Sequence, residues 1–463
     1  MLYLPHDRRP EDAARPPAPP AEVSEPAVPR KRVISWAFWD WATQPFNSVI
    51  LTFVWVPLFL VSANLLPADI AALPENDPVQ VAALAQLSSN FGIALGIAGV
   101  AIFVLAPALG QQADARGRKK RWLLLATAAL ALCQFALFFV QADPAYFWYG
   151  AAVMAIGSVL SEIAGVNYNA MLVQVSTRKT VGTVSGLGWG MGYLGGIVAL
   201  VIVVVLTQLG WFGMDTSNGM AYRLIAVGAA VWTIVFALPL VFNVPETEPC
   251  GTVTQRNFFY SYVVLAKDLV SLFRTHRPTF WFLFASAIYR DGLNGVFSFG
   301  GVLAATGFGF SAQEVMIFGI ALNVVAGVST ILVGKADDRF GPRAVIVSAL
   351  VVLIVSCLFV FIFHGDGKMV LWAGGVVLSA ACGPAQAASR SLLARLTPAD
   401  MQGEIFGLYA TTGRLVSTLS PFAWSISVTA IGAVYGGVIG ITAVLAVGLI
   451  LLLLVRMPKY VRS

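Results

Sequence analysis

Two copies of one loop decide the fold of this chain, GQQADARGRK at residues 110–119 and GKADDRFGPR at residues 334–343. Each copy has a glycine, an acidic residue four positions later, a second glycine and several basic residues. A glycine permits a tight turn, and a carboxylate accepts hydrogen bonds from arginine or from a helix N-terminus. The pattern favours a latch, and the alternative is a basic anchor that only sets membrane topology.

The sequence around these loops is strongly apolar. Of 463 residues, 58% are apolar and 11% are charged, against about 45–50% and about 25% in soluble domains. The apolar residues fall in blocks of about 20, the length of a helix that spans a bilayer. This composition excludes an ordinary soluble enzyme and indicates a polytopic membrane protein.

Twelve apolar blocks form two sets of six, and each loop follows the second block of its set. The blocks predict an all-α membrane protein with twelve transmembrane helices. They lie near residues 34–62, 86–109, 122–141, 146–174, 183–207, 221–243, 279–305, 313–333, 344–363, 370–393, 402–431 and 433–455.

The two sets of blocks divide the chain into four regions. Residues 1–33 hold eight of the 24 prolines and no apolar block, so they predict a disordered tail that is not a signal peptide. Residues 34–243 and 279–463 hold the two sets of six helices. Residues 244–278 form a more polar linker, in which apolar residues at helical spacing predict a helix on the membrane surface.

Lysine and arginine are concentrated on one side of the predicted membrane. If successive blocks cross it in alternate directions, 24 of the 29 basic residues lie on the side of the two loops. Basic loops face the cytoplasm, so we expect both termini to be cytoplasmic and the helix count to be even. The net charge of +6 follows from this topology, which argues against nucleic-acid binding.

The sequence shows no arrangement of residues that is typical of catalysis or metal binding. The four cysteines have neither paired nor ligand spacing, and the three histidines lie far apart, so no disulfide framework and no metal site are expected. The chain has no G-x-x-x-x-G-K-[ST] loop for a nucleotide, and no histidine in an apolar block. We therefore expect no cofactor and no enzyme activity.

Four charged residues stand out within the apolar blocks, because a charge there costs about 2.5–3.5 kcal/mol and needs a partner or a function. Asp40 lies in the first block, Glu162 in the fourth, and Arg290 and Asp291 in the seventh. Apolar surroundings favour the protonated carboxyl group, so these acids are candidate proton carriers, or alternatively members of structural ion pairs. Sequence neighbours on a helix point about 100° apart, so Arg290 is expected to pair with Asp40 or Glu162.

The fifth block carries glycines at four-residue spacing. Such spacing is typical of close helix packing in membranes, whereas a dinucleotide loop would need a preceding strand and a later acid. We therefore expect two packing series, Gly182, Gly186 and Gly190, and Gly188, Gly192 and Gly196.

The duplicated loop, the two sets of six blocks and the central linker resemble the major facilitator superfamily of secondary transporters. The resemblance covers nearly the whole chain. It implies two pseudo-symmetric six-helix bundles with a substrate site between them at mid-membrane, lined by helices one, four, seven and ten. Asp40, Glu162 and Asp291 fall on three of these four helices.

Shorter segments are similar to the vacuolar-effluxer-like family, which is related to the autophagy-associated amino-acid effluxer of fungal vacuoles. The resemblance implies export of amino acids or similar small solutes. Where the family has asparagine and serine after its D-W-A core, this chain has Thr43-Gln44-Pro45, which leaves the substrate open. The similar segments are Phe38–Ala42, Tyr168–Leu172, Ser185–Gly196, Tyr289–Gly292, Gln386–Ser391 and Glu404–Tyr409.

Residues on these helices form the predicted site. Asp40, Glu162 and Asp291 are predicted to couple transport to protons. For Arg414 three partners stay open, namely Asp114, Glu404 and a substrate carboxylate. The predicted substrate-binding residues are Asp40, Trp41, Gln44, Asn47, Glu162, Asn169, Tyr193, Tyr289, Arg290, Asp291, Asn294 and Gln386. The predicted cytoplasmic gate consists of Gly110, Asp114, Gly117, Arg118, Gly334, Asp338, Arg339, Gly341 and Arg414.

We expect a secondary active exporter that works by alternating access and is coupled to protons. The alternatives are a non-transporting receptor or scaffold of the same fold, and a facilitator that exports larger amphipathic compounds. The expected partners are a small-molecule substrate, the lipid bilayer and protons, and the chain is expected to be a monomer. Arginine outnumbers lysine 21 to 8, and no targeting extension is apparent, which favours a bacterial plasma membrane.

Overall fold

The computed structural model describes residues 28–74, 77–208, 219–246, 267, 270, 272–274, 276–397 and 401–457. These residues are mainly helical, and no strand occurs among them. The N-terminal half contains α1 (Arg30–Pro45), α2 (Pro78–Arg116), α3 (Lys119–Ala136), α4 (Phe147–Ala170), α5 (Val181–Gln208) and α6 (Met220–Asn243). The C-terminal half contains α7 (Arg277–Val302), α8 (Ala312–Phe340), α9 (Pro342–Ile362), α10 (Lys368–Leu396), α11 (Gln402–Val416), α12 (Leu419–Ile431) and α13 (Gly437–Leu454).

Ten helical segments in the described part of the chain are long and apolar enough to cross a membrane. The ten do not include α7, whose middle carries Arg290, Asp291 and Asn294, nor the short helices α11 and α12. The all-α membrane fold is therefore confirmed, while the count of twelve crossings stays a prediction.

The first helix bends at its prolines. After Pro45 the chain continues as π-helical segments over Phe46–Phe53 and Val56–Leu60, with a break at Val54. A proline lacks the N–H that would close the helical ladder, so Pro45 and Pro57 interrupt the regular hydrogen bonding of this helix. The helix begins at Arg30, about one turn before the predicted end of the tail at residue 33.

The predicted tail and linker fall largely outside the described residues. Residues 1–27 of the tail are not described. Of the predicted surface helix, the structure describes only residues 267, 270, 272–274 and 276–278. The surface helix therefore stays a prediction.

The eleventh apolar block, predicted as one segment over residues 402–431, is divided into α11 and α12. Pro421 cannot donate a hydrogen bond to the carbonyl of Ser417, and its ring clashes with that carbonyl in a continuous helix. The break exposes N–H groups at the start of α12. Asp291 accepts the Ser420 N–H at 2.6 Å and so compensates one of them inside the apolar region.

Both copies of the duplicated loop make the expected tight turn. Gly117 has φ 60° and Gly341 has φ 86°, a range that glycine adopts far more readily than other residues. The first turn leads from α2 into α3 and the second from α8 into α9. These turns define one end of the helical bundle, which we call the basic end.

The two halves pack together at the basic end. They are joined by α5 against α8 and by α2 against α11. One buried apolar cluster includes residues of both halves, and its N-terminal members, such as Trp36 and Val184, come from helix parts near the basic end. A second cluster around Phe46, Trp55 and Leu130 belongs to the N-terminal half alone. The N-terminal half thus contributes its buried residues to the shared core at the basic end.

The two glycine series of α5 serve two packing faces, which confirms their packing role. On one face, Gly186 lies against the backbone of Gly334 in α8. On the other, Gly192 lies against the Asp40 carboxyl group, and Gly196 against Gln44 in α1. Because neither face carries side chains, α5 brings α1 and α8 close together.

Candidate functional site

The second copy of the loop forms a latch between the halves. Asp338 accepts hydrogen bonds from the backbone N–H groups of Gly182 and Thr183, each at 2.7 Å. These groups start α5, where unpaired N–H groups and the helix dipole favour a carboxylate. Arg395 of α10 pairs with Asp338 at 3.0 Å and with Asp337 at 3.1 Å. Asp338 of the predicted latch thus contacts both α5 and α10, and its gating role stays a prediction.

The first copy makes the corresponding contact between α2 and α11. Gly110 lies against the backbone carbonyl of Gly403, at a distance that leaves no room for a side chain. Gly334 lies in the same way against the Gly182 carbonyl. The side chain of Asp114 is outside the described residues, so its predicted gating role stays a prediction.

Two basic residues predicted for the gate lie away from it. Arg118 is exposed just before α3. Arg339 is exposed as well, and its guanidinium lies over the Phe340 ring at 5.3 Å. Their positions fit the alternative reading, in which the basic residues of the loop anchor topology. The arginine of the latch is Arg395.

Arg390 of α10 reaches across the interface into the N-terminal half. It is 3% exposed, and it donates to Asn169 Oδ1 at 2.9 Å and to the hydroxyl and carbonyl of Ser185 at 3.0 and 2.6 Å. Its guanidinium lies 5.3 Å from the Trp36 ring and 5.8 Å from the Trp189 ring. Arg390 thus joins α10 to α1, α4 and α5 within the bundle.

Asp40 lies beside Arg390. The two groups interact electrostatically, and both contact the same glycine face of α5, Arg390 at Gly188 and Asp40 at Gly192. Those glycines are four residues, or about 6 Å, apart along α5. Asp40 makes no hydrogen bond within the described residues. The structure therefore places a carboxyl group and a guanidinium, which carry opposite charges, near each other at the interface of the halves.

Tyr193 of α5 lies between the Asp40 side of this site and α10. The Tyr193 hydroxyl donates to Gln386 Oε1 at 3.0 Å, and its ring lies 6.2 Å from the Phe297 ring of α7. Gln44 donates to Ser48 at 3.3 Å in α1, and Asn47 is half-buried close by in the sequence. Tyr193 and Gln386 are brought together as parts of one predicted site.

Glu162 pairs with Arg414, at 3.1 Å, between α4 and α11. The side chains are 30% and 47% exposed, so this ion pair is open on one side. Sequence reasoning proposed Asp114 or Glu404 as the protein partner of Arg414, and the structure shows Glu162 instead. The pair is a further charged contact between the halves.

Arg290 does not pair with Asp40 or Glu162, so that prediction is wrong. It donates to the Tyr409 carbonyl at 3.0 Å, and its guanidinium stacks on the Tyr409 ring at 3.5 Å. The Arg290 side chain extends from α7 to α11, where Gly413 leaves space for it because it has no side chain. One turn further along α7, Asn294 is exposed.

Three predicted site residues lie apart from this group. Asp291 is 4% exposed and caps α12, which does not fit proton coupling. Tyr289 is fully buried within the C-terminal half, where its hydroxyl bonds Ser389 at 2.6 Å. Trp41 stacks on Trp232 of α6 at 5.7 Å. Trp41 follows Asp40 in the chain, and Tyr289 and Asp291 flank Arg290. A step of one residue rotates a side chain by about 100° about the helix axis, so these three side chains point in other directions than Asp40 and Arg290.

Sequence reasoning missed Arg390, Arg395, Asp337 and Ser185. Arg390 was recognisable as a charge in or beside an apolar block, and it lies four residues after Gln386 on the same helix face. Arg395 and Asp337 carried no comparable signal because they lie at block edges, where charges are common. The central site, as we use the term, consists of Asp40, Glu162, Asn169, Tyr193, Arg290, Gln386, Arg390 and Arg414.

The central site holds opposite charges, amides and aromatic rings in the interior of the bundle. Such groups can bind a small charged solute and release a proton, but they include no nucleophile paired with a base. In the described part of the chain, His, Cys, Asp and Glu residues form no group of three or more that could hold a metal. Binding and movement, rather than covalent chemistry, fit this arrangement.

Solved structures with the same fold are transporters of the major facilitator superfamily. The proton:xylose symporter XylE matches with a TM-score of 0.67 and 13% identity over 91% of this chain and 94% of that one. FucP in the outward conformation matches with a TM-score of 0.64 and 14% identity over 92% and 99%. The human organic anion transporter MFSD10 matches with a TM-score of 0.65 and 17% identity over 92% and 100%. At these identities the likeness shows the fold alone.

Sequence relatives agree with the fold. The chain is 25% identical over 431 residues to the uncharacterized MFS-type transporter YxiO of Bacillus subtilis, covering 91% of this chain and 94% of that protein. It is 25% identical over 268 residues to autophagy-related protein 22 of Cryptococcus neoformans, covering 53% and 47%. Residues 173–463 match the family described as vacuole effluxer Atg22 like. The chain therefore belongs to the Atg22-like vacuole effluxer family, and it is a membrane transporter of the major facilitator superfamily rather than an enzyme.

Proposed function

We propose that this transporter exports amino acids or similar small solutes by alternating access, driven by protons. The observation that carries the proposal is the position of Asp40 and buried Arg390, which interact electrostatically and lie against the same glycine face of α5. A carboxylate and a guanidinium suit the ammonium and carboxylate groups of a zwitterion. The rings of Trp36 and Trp189 add faces that attract a cation.

The same contacts give the proposed cycle its coupling. Arg390 and Arg414 each join one half to the other, so both contacts must break before the halves can separate at the basic end. Protonation removes the negative charge of Asp40 or Glu162 and with it the attraction to the neighbouring arginine. A proton bound at either acid therefore favours release of the interface.

The proposed orientation places the basic end in the cytoplasm of a bacterial cell. Basic loops are retained on the cytoplasmic side, and the two latch loops carry many of the basic residues. In this orientation the contacts of Asp338 and Arg390 close the cytoplasmic end. An exporter would load its substrate after these contacts open. The proposed location is the plasma membrane, with both termini cytoplasmic and the chain acting as a monomer.

Flux through proteoliposomes tests the proposal. In the wild-type protein, a pH gradient is expected to drive accumulation of an amino acid. Asp40→Asn and Glu162→Gln cannot release a proton, so we expect each to lose gradient-driven accumulation while retaining exchange of labelled for unlabelled solute. Asp69→Asn is the matched control, because Asp69 is exposed outside the central site and should leave both activities intact.

Three outcomes would contradict the proposal. Accumulation that depends on the pH gradient to an unchanged degree in both variants would remove protons from the mechanism. Binding of amino acids without flux would favour the receptor alternative, and flux of amphipathic drugs alone would favour a facilitator for larger compounds.

A further inference from the structure

Arg290 is a charged side chain of the membrane interior that the proposed cycle leaves without a role. Its guanidinium has five N–H donors, and the described residues accept from one of them, through the Tyr409 carbonyl. No carboxylate among the described residues lies within ion-pair distance of it. The side chain is half-buried, so the unused donors cost free energy unless an anion or water reaches them.

The position of Arg290 is held from two sides. The Tyr409 ring lies flat under the guanidinium at 3.5 Å, which restricts the plane in which its donors point. On the other side, Gly413 has no side chain to fill the space, and a Cβ there would lie 3.2 Å from Arg290 Nη2. The guanidinium is therefore oriented before any ligand binds.

Arg290 is the member of the central site that α7 contributes. Residues 290, 294 and 297 fall on one face of α7, and Phe297 on this face meets the Tyr193 ring of the other half. Gly413, which contacts Arg290, immediately precedes Arg414 in the chain. Arg414 in turn pairs with Glu162 across the interface. Arg290 thus lies between two contacts that join the halves.

The charges around the central site do not balance. Glu162 is paired with Arg414, and Asp40 is the acid that faces Arg390, which leaves Arg290 without an acid. Asp291, its neighbour in the chain, is engaged elsewhere because it is buried and accepts the Ser420 N–H. A positive charge in the membrane interior is costly unless a negative group pairs with it.

We infer that the transported solute is an organic anion, with one carboxylate more than it has ammonium groups, and that this carboxylate binds Arg290. The inference rests on the proposed transport function and specifies the substrate class of the same site. An acidic amino acid meets the requirement: one carboxylate faces Arg390, the ammonium group faces Asp40, and the side-chain carboxylate reaches Arg290. The fork of the guanidinium suits a carboxylate with two parallel hydrogen bonds.

Exchange in proteoliposomes made with the full chain tests this inference. The probes are the pairs glutamate and glutamine, and aspartate and asparagine, since each pair differs by one charge at nearly constant size. We expect the wild-type protein to exchange the acidic member about tenfold faster or more, because the pairing contributes a charge-assisted hydrogen bond. Equal rates, or faster exchange of the neutral member, would overturn the inference and leave the proposed transport function intact.

Substitution of Arg290 assigns the preference to this side chain. In Arg290→Gln the ratio of glutamate to glutamine exchange should fall about tenfold, while glutamine exchange persists and shows that the protein is folded. Arg290→Lys, which keeps the charge but not the fork, should give an intermediate ratio. Arg456→Gln is the control, because Arg456 is exposed after α13. An unchanged ratio in Arg290→Gln would overturn the inference, and a wild-type protein that exchanges none of the four solutes would contradict the proposed function itself.

Discussion

At the scale of single residues, the central site depends on Gly188, which lies against side chains of three other helices. A Cβ at Gly188 would lie 2.6 Å from the Tyr168 hydroxyl, 2.9 Å from Arg390 Nη2 and 3.0 Å from the Trp36 ring. Distances of this kind force the neighbours to move. The buried position of Arg390 therefore requires the missing side chain at residue 188.

Gly188→Ala should destabilise the protein in detergent by about 1–3 kcal/mol, the usual cost of overpacking a dense core. Thermal unfolding of the purified variant would measure the change. The matched control is Gly165→Ala, because nothing lies within 4 Å of a Cβ at Gly165. If both variants unfold at the wild-type temperature, the packing around Arg390 is looser than the structure indicates.

At the scale of elements, a charged residue of one helix stabilises the break in another. Asp291 of α7 accepts the first free N–H group at the start of α12, and Pro421 prevents α11 from continuing through this point. The acid looked from the sequence like a proton carrier. In the structure it acts as the cap that makes an interrupted helix tolerable in apolar surroundings.

Two substitutions separate these roles of Asp291. Asp291→Ala should lower the free energy of unfolding by about 1–3 kcal/mol, since the Ser420 N–H loses its acceptor. Asp291→Asn keeps an acceptor oxygen, so it should retain gradient-driven accumulation in proteoliposomes. Asp366→Ala, at an exposed turn, is the control for stability. Loss of accumulation in a folded Asp291→Asn protein would restore the proton-coupling role.

At the scale of the whole molecule, the halves meet through polar contacts gathered at the basic end. Asp338, Arg390 and Arg395 all lie in this part of the interface, and the buried apolar core that includes both halves lies there too. Charged contacts can break without leaving a permanent change in packing. Such an interface suits a transporter that must open and close at this end in each cycle.

The latch predicts a coupled pair of substitutions. Asp338→Asn and Arg395→Gln should each open the basic end, and the double variant should open it no more than the stronger single one, because both remove the same ion pair. Labelling of a cysteine placed at Val184, in a protein without native cysteines, would report the opening to a water-soluble maleimide. Val184 is 4% exposed in the closed arrangement. Labelling that stays at the wild-type level in both single variants would argue against the latch.

Much of the fold was predictable because it depends on short stretches of sequence. The loops turn at Gly117 and Gly341 because their conformation needs glycine, and α5 packs closely on its neighbours because its glycines lack side chains. The break between α11 and α12 was not predicted, although Pro421 was visible. A proline inside an apolar block can kink a helix or end it, and the cap from Asp291 is distant in the sequence.

The linear sequence was enough to show that the chain lies in a membrane, where most of its helices fall, and which glycines pack closely or turn the chain. These properties follow from apolar block length and from local backbone chemistry, which a linear pattern contains. The partners of the charged residues became known from the packed helices: Arg290 stacks on Tyr409, Arg414 pairs with Glu162, and Asp291 caps α12. Partners depend on the rotation of each helix about its axis, where one residue changes the direction by about 100°, and packing between distant segments sets that rotation.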